Sequence, residues 1–208
     1  MFSKLCFINN ITIKIKEGEI LNILSIDLDF LTENLVDIDD SGEFAISSPI
    51  KFNIISRLLN KNKDKIIFLK EHGEIIDYIN EPCIMYNFDH HHDVYYQEES
   101  KEECHKMIEL NKKEYKLLES CWVYYLFISG YLTKYKCFLN YNSSLNEEVL
   151  QYGFEFYFNY YDEFNPYKQD LYNIDFDKVF VILSPDYTTE DKIKVALKII
   201  GLDDNFER

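Results

Sequence analysis

The feature that most constrains this chain is a rhythm of short apolar runs of strand length, each followed by polar residues and then by a helical pattern. The runs Ile20–Phe30, Lys65–Lys70, Cys83–Phe88, Lys136–Asn140 and Val179–Leu183 are rich in Ile, Val, Phe and Tyr and lack strict polar alternation. A strand with one wetted face alternates apolar and polar residues, so most of these read as strands covered on both faces. Between them the pattern predicts helices over Pro49–Asn60, Gly73–Asn80, Glu99–Lys112, Glu119–Tyr131 and Asn146–Tyr152. A last helix carries Ile193, Ala196, Leu197 and Ile200 as one apolar stripe. Thr188 or Thr189 can cap its start, Glu190 and Asp191 suit its positive end, and Gly201 stands where a C-terminal cap belongs. Strands alternating with helices predict an α/β domain with a mostly parallel sheet. No repeat and no Gly/Ser- or Pro-rich linker interrupts the chain, so residues 1–208 are read as one domain.

Ligands of such sheets bind beyond the carboxyl ends of the strands, so the polar residues there carry the functional argument. The first run ends in Ser25-Ile26-Asp27-Leu28-Asp29-Phe30. On a strand Asp27 and Asp29 share one face, where two neighbouring carboxylates repel unless a cation lies between them. A solvent-exposed acidic turn is the alternative. The third run leads into Asn87-Phe88-Asp89-His90-His91-His92-Asp93. Alternation puts Asp89, His91 and Asp93 on one side, and His90 and His92 on the other. Imidazole flanked by carboxylates suits Mn, Fe or Zn rather than Ca, although a polar His-rich loop has the same composition. The second run leads into Lys70-Glu71-His72-Gly73-Glu74. A lone His at such a junction is usually a cap or a packing residue. In a parallel sheet, however, it projects from the same edge as the other two motifs. Asp27, Asp29, Asp89, Asp93, His72 and His91 exceed what one catalytic zinc takes from a protein. They suit two metals bridged by carboxylate and water, which predicts metal-assisted hydrolysis.

Composition removes other classes. Lys and Arg total 22 against 37 Asp and Glu, a net charge of −15, which argues against binding a phosphate backbone. Aromatic residues make up 16% of the chain, too many for a disordered acidic tail. The nearly apolar run Cys121–Leu132 is too short to span a bilayer, and Met1–Asn10 lacks the apolar stretch of an export signal. Cys6, Cys83, Cys104, Cys121 and Cys137 form no Cys-x-x-Cys pair and read as reduced thiols of a cytoplasmic protein. Neither nucleic acid nor a membrane is an expected partner, and a homo-oligomer is left open.

Ser-x-Asp-x-Asp at residues 25–29 and Asp-x-His-x-Asp at residues 89–93 resemble the two signature strand ends of the arginase/agmatinase (ureohydrolase) superfamily. Ile26-Asp27-Leu28-Asp29-Phe30, then Glu71-His72-Gly73-Glu74, then Phe88 to Asp93 resembles its peptide arginase group more specifically. Ser120-Cys121-Trp122 and Leu183-Ser184-Pro185-Asp186-Tyr187 are also similar to segments of that group. The likeness covers roughly residues 20–190. It implies a three-layer arginase-like fold and two Mn2+, with Zn2+ or Fe2+ as alternatives. It also implies conversion of arginine in a ribosomally made peptide to ornithine and urea. Carried over, it makes Asp27 and Asp89 bridging ligands, with His72 and Asp93 completing one metal site and Asp29 and His91 the other. Asp93 would also orient the nucleophile and relay its proton, and Glu74 would pair with the guanidinium. Asp-x-Asp precedes Asp-x-His-x-Asp here, the reverse of ordinary arginases, so the strand connectivity is expected to be rearranged. The usual general-acid His has no counterpart, because His105 lies in a polar helix.

Other residues carry two readings each. His92 reaches the site edge, or simply packs. Asp186 contacts a cationic substrate, or belongs to a turn before the last helix. Trp122, Tyr124 and Tyr125 line a peptide groove, or form a buried helix stripe. Tyr152–Tyr167 is a peptide-contact surface or a half-buried strand, and Glu98–Lys116 a solvated helix face. Two functional alternatives stand beside the leading one. One is a deacetylase-like amidohydrolase with a single zinc on Asp89, His91 and one further Asp; the other is a non-catalytic module stabilised by its metal.

Overall fold

The structure is a computed structural model and describes residues 4–8, 11–15, 18–158 and 171–202, with side chains described from residue 18 onward except that of residue 117. Residues 1–3 and 9–10 of the N-terminal stretch, the side chain of Cys6 and residues 159–167 of the aromatic segment lie outside that description. In chain order the strands are β1 (Lys4–Ile8), β2 (Ile11–Ile15), β3 (Leu21–Asp27), β4 (Leu35–Ile38), β5 (Phe44–Ile46), β6 (Ile66–Leu69), β7 (Cys83–Asp89), β8 (Leu132–Leu139), β9 (Glu155–Phe158) and β10 (Lys178–Ile182). The α-helices are α1 (Asp29–Thr32), α2 (Pro49–Lys61), α3 (Glu98–Leu110), α4 (Tyr115–Leu118), α5 (Trp122–Ile128) and α6 (Glu190–Ile200).

Six strands form one parallel sheet in the order β6-β10-β3-β7-β8-β9. Its central strands are apolar on both faces, as their sequences require. Ile23, Met85, Phe180 and Ile182 enter one core with Met107 of α3 and Trp122 and Leu126 of α5. Leu24, Ile26, Phe88, Val179 and Val181 enter the other with Ile55 and Leu58 of α2 and Ala196 and Leu197 of α6. The result is a sheet between two helical layers. Ile26 lies opposite Phe88, so Asp27 and Asp89, one residue further on, leave the sheet side by side. Among the described residues no helix is long and apolar enough to cross a membrane.

The terminal helix matches its pattern. Thr189 Oγ1 accepts the Lys192 amide at 3.3 Å, and Gly201 takes the left-handed conformation at φ 79° that a C-terminal cap needs. Helix α2 ends within a residue of expectation. Elsewhere the pattern misplaced boundaries. The first strand stops at Asp27, because Leu28 turns helical (φ −69°, ψ −19°) and Asp27 Oδ1 accepts the Asp29 amide at 3.0 Å. Asp29 therefore sits in a helical turn and not on a strand face. The strand expected at Lys136–Asn140 begins earlier, at Leu132. The helices expected over Gly73–Asn80 and Asn146–Tyr152 are 3-10 segments, His72–Asp77 and Glu147–Tyr152. The one expected over Glu119–Tyr131 is the shorter α5. The hairpins β1–β2 and β4–β5 and helix α4 were not anticipated, whereas the edge strand β9 is half-buried and lies in the segment Tyr152–Tyr167, for which a half-buried strand was one of the two readings.

Candidate metal centre

The ends of β3, β6 and β7 deliver their polar residues to one place, as parallel strands must. His72 enters from the 3-10 turn after β6. Gly73 beside it lies so close to α4 that a Cβ there would sit 2.8 Å from the Tyr115 carbonyl. That close approach holds the turn down. His72 is 3% exposed, its Nε2 lies 2.8 Å from Ser25 Oγ, and its ring stacks on Trp122 at 4.6 Å. Its Nδ1 then faces Asp27 Oδ2 at 3.2 Å, Asp89 Oδ2 at 3.2 Å and Asp93 Oδ2 at 3.0 Å, none in hydrogen-bond geometry.

One imidazole nitrogen has a single in-plane direction and cannot serve three carboxylates. Neighbouring ligands on an octahedral cation at about 2.1 Å lie about 3.0 Å apart, the spacing this cluster has. Charge supports the same reading. Asp27, Asp29, Asp89 and Asp93 are all 5% exposed or less, and two imidazoles cannot balance four buried carboxylates. Burial alone would lower the pKa of His72, but Asp27, Asp89 and Asp93 override it and raise it well above the usual value. Burial, then Asp93 and Asp29, hold the Asp89 carboxyl well above the carboxylate range. Burial and Asp27 push Asp29 up to about 6. Asp93 goes the other way: burial opposes its ionisation, but His72 and the Trp122 Nε1 donor at 2.8 Å outweigh it.

The ligand atoms of Asp27, His72 and Asp89 lie within 4.8 Å of one another, and so do those of Asp29, Asp89 and His91. Two triads thus share Asp89. His91 Nδ1 lies 2.9 Å from Asp29 Oδ2, and the His90 amide donates to Asp29 Oδ1 at 3.1 Å. Asp27 belongs to the first triad only, whereas Asp89 belongs to both. Asp93 lies against His72 but belongs to neither triad. The supporting residues are equally specific: Ser184 Oγ donates to Asp27 Oδ2 at 2.5 Å, and Asn87 Nδ2 to Asp89 Oδ2 at 2.9 Å. Outer partners of this kind fix the orientation of metal ligands.

The cluster forms the floor of a cavity of about 250 Å3 whose walls carry Tyr96, Glu119, Ser120, Ser184 and Tyr187. None of these five was foreseen as a site residue; Ser120, Ser184 and Tyr187 lie in motifs that were noticed, whereas Glu119 and Tyr96 lie in segments with no metal-site pattern. The Glu119 carboxyl is pushed up to about 8, by burial first and then by Glu71. Glu74 does not line the cavity, and its Oε2 accepts the Lys70 amide at 3.0 Å. His92 is fully buried behind the site, stacked on Tyr96 at 4.2 Å, with Nδ1 accepting the Val94 amide at 3.1 Å. Burial lowers its pKa to about 4, the behaviour of a packing residue. Asp186 is exposed at the rim, where its carboxylate meets those of Glu71 and Glu119. Trp122 and Tyr124 are buried, so the helix stripe and not a groove is what α5 supplies. His105 is exposed. Comparison of the chain with protein-family models, curated proteins and solved structures finds no match to any of the three.

Proposed function

We propose that this chain is a binuclear metal-dependent guanidino hydrolase with an arginase-like fold. It would convert arginine side chains of a peptide to ornithine and urea, with Mn2+ the expected metal and Zn2+ or Fe2+ the alternatives. The observation that carries the reading is the pair of ligand triads sharing buried Asp89. Mixed carboxylate and imidazole donors suit Mn, Fe or Zn. Two such cations supply water acidified to hydroxide near neutral pH.

The chain's own residues account for the rest. Asp27, Asp29, His72, Asp89 and His91 would hold the cations. Asp93 borders the cavity with Trp122 fixing its Oδ2, and would orient the reacting water and take up its proton. The role expected of Glu74 passes to Glu119, which faces the cavity, with Glu71 behind it. Two carboxyls forced together there hold a proton that an incoming guanidinium would replace. A second, more open hollow of about 420 Å3 adjoins the first at Tyr187 and runs past Thr32, Glu33 and Lys192. It offers room for residues on one flank of a target arginine, which favours a peptide over the free amino acid.

The test is incubation of the Mn2+-loaded protein with Arg-containing peptides and with free arginine, followed by mass spectrometry. The expected result is loss of CH2N2 per arginine in the peptide, with release of urea. Bound metal without turnover of either substrate would leave a metal-stabilised module, and a single tightly bound zinc would point to the amidohydrolase instead.

A further inference from the structure

Ser184 stands two residues beyond β10, the strand between the one that carries His72 and the one that carries Asp27. It is 2% exposed and has a left-handed backbone, φ 46°. Its amide donates to the Lys70 carbonyl at 3.1 Å, and its carbonyl accepts the Tyr187 amide at 3.0 Å, so main-chain bonds specify the turn. A turn of this hand favours glycine, or asparagine and aspartate after it. The main chain therefore has no use for serine. The side chain does: Oγ donates to Asp27 Oδ2 at 2.5 Å, while Asp27 Oδ1 takes the Asp29 amide at 3.0 Å.

We propose that Ser184 is a positioning residue of the metal centre, its hydroxyl fixing the Asp27 carboxylate as a ligand of one cation and not a bridge between two. This rests on the metal-centre reading above. With both Asp27 oxygens held by donors from different elements, the carboxylate cannot swing toward the Asp29–His91 side. One lone pair of Oδ2 serves Ser184, and the other faces the His72 side. The strained backbone at residue 184 is tolerated in exchange for that hydroxyl.

The experiment separates the hydroxyl from the conformation. The full chain, stripped with EDTA, is titrated with Mn2+ by calorimetry as wild type, Ser184→Gly and Ser184→Ala, and each metal-free form is melted. Both variants lack the hydroxyl, but only glycine relieves the left-handed backbone. Mn2+ affinity at the tightest site should fall by roughly 10- to 100-fold in both. The metal-free melting midpoint should be higher for Ser184→Gly than for Ser184→Ala, so that affinity and stability part company. Were the alanine form unable to fold, the glycine form decides alone. Ser184→Gly binding Mn2+ within about threefold of wild type, or affinity that simply follows the melting midpoint, overturns the proposal. Wild type that binds no Mn2+ overturns the metal-centre reading and this proposal with it.

Discussion

Asp89 is common to both ligand triads, so Asp89→Asn strikes the centre where it is most sensitive. In the metal-free protein the substitution has opposing effects. It removes one of four buried charges whose ionised form the surroundings disfavour, burial first and Asp93 and Asp29 next. It also disturbs two accepted hydrogen bonds, from Asn87 Nδ2 at 2.9 Å and from the His91 amide at 2.8 Å. The amide oxygen of asparagine can satisfy only one of these donors. A lost hydrogen bond costs about 1 kcal/mol and the relieved repulsion offsets it, so the metal-free midpoint should move by less than about 4 °C. Metal changes the balance. A ligand at about 100 times its dissociation constant stabilises the native state by about 2.7 kcal/mol, or roughly 5–10 °C for a chain of this length. Differential scanning calorimetry of EDTA-stripped protein with and without MnCl2 should show that gain in wild type and less than about 2 °C of it in Asp89→Asn. A variant that gains as much as wild type would refute the shared ligand. Wild type indifferent to Mn2+, Zn2+ and Fe2+ alike would refute the centre.

Trp122 is the chain's one tryptophan, stacked on His72 and bonded to Asp93, so its emission should change with Mn2+ at the same midpoint that calorimetry reports. Binding that leaves the emission untouched would contradict the placement. Glu119→Gln should raise KM for an arginine peptide while leaving Mn2+ affinity at the Asp89 centre within about threefold of wild type, since Glu119 faces the cavity and groups with Glu71 and Asp186 and not with either triad that contains Asp89. Because its carboxyl releases its proton only at about 8, KM of the wild type should fall as pH rises through that value, and the variant should flatten the profile. Lys51 is 2% exposed, and burial lowers its pKa from 10.5 to about 8 against the pull of Glu33 and Asp29. The unfolded chain thus binds the extra proton between those values, and stability contributed at this site rises with pH across that window. Relative to Lys51→Met, wild type should gain up to about 3 kcal/mol between pH 8 and pH 10.5 in urea unfolding, and parallel pH curves would show the lysine to be solvated.

How much of this was legible in the sequence depends on what each residue's position rests on. Where burial alone decides, the pattern sufficed: strands apolar on both faces, and a capped amphipathic α6. Short pieces with little apolar periodicity, such as the β4–β5 hairpin (Leu35–Ile46), gave no such signal, and the aromatic segment that holds β9 gave two readings, one of them a half-buried strand. The metal ligands were found by strand alternation, and alternation is not what brings them together. Strand β3 ends at Asp27 and β7 at Asp89, and in both the carboxylate Oδ1 accepts the amide two residues on, from Asp29 at 3.0 Å and from His91 at 2.8 Å. The same side-chain-to-backbone turn closes each strand and swings residue i+2 back toward the site. Asp-x-Asp and Asp-x-His are therefore readable because each builds its own turn. His72 and Ser184 are different in kind. Nothing local relates them to Asp27, since β6 meets β3 only through β10, and a strand order is a property of the whole sheet. The same holds for Glu119, which reaches the cavity because α4 packs on the His72 turn against Gly73. Glu119, Ser184 and the ligand His72 thus arrive by tertiary register, whereas the Asp-x-Asp and Asp-x-His ligands carry their local geometry within three residues of sequence. A chain that kept the two Asp motifs but shuffled its strand order would retain the Asp29–Asp89–His91 triad wherever β3 and β7 stayed neighbours, and would lose the His72 triad. Replacing His72 with alanine, which leaves the β3–β7 pairing in place, should accordingly give one bound Mn2+ per chain in calorimetry, and two would show that His72 is dispensable.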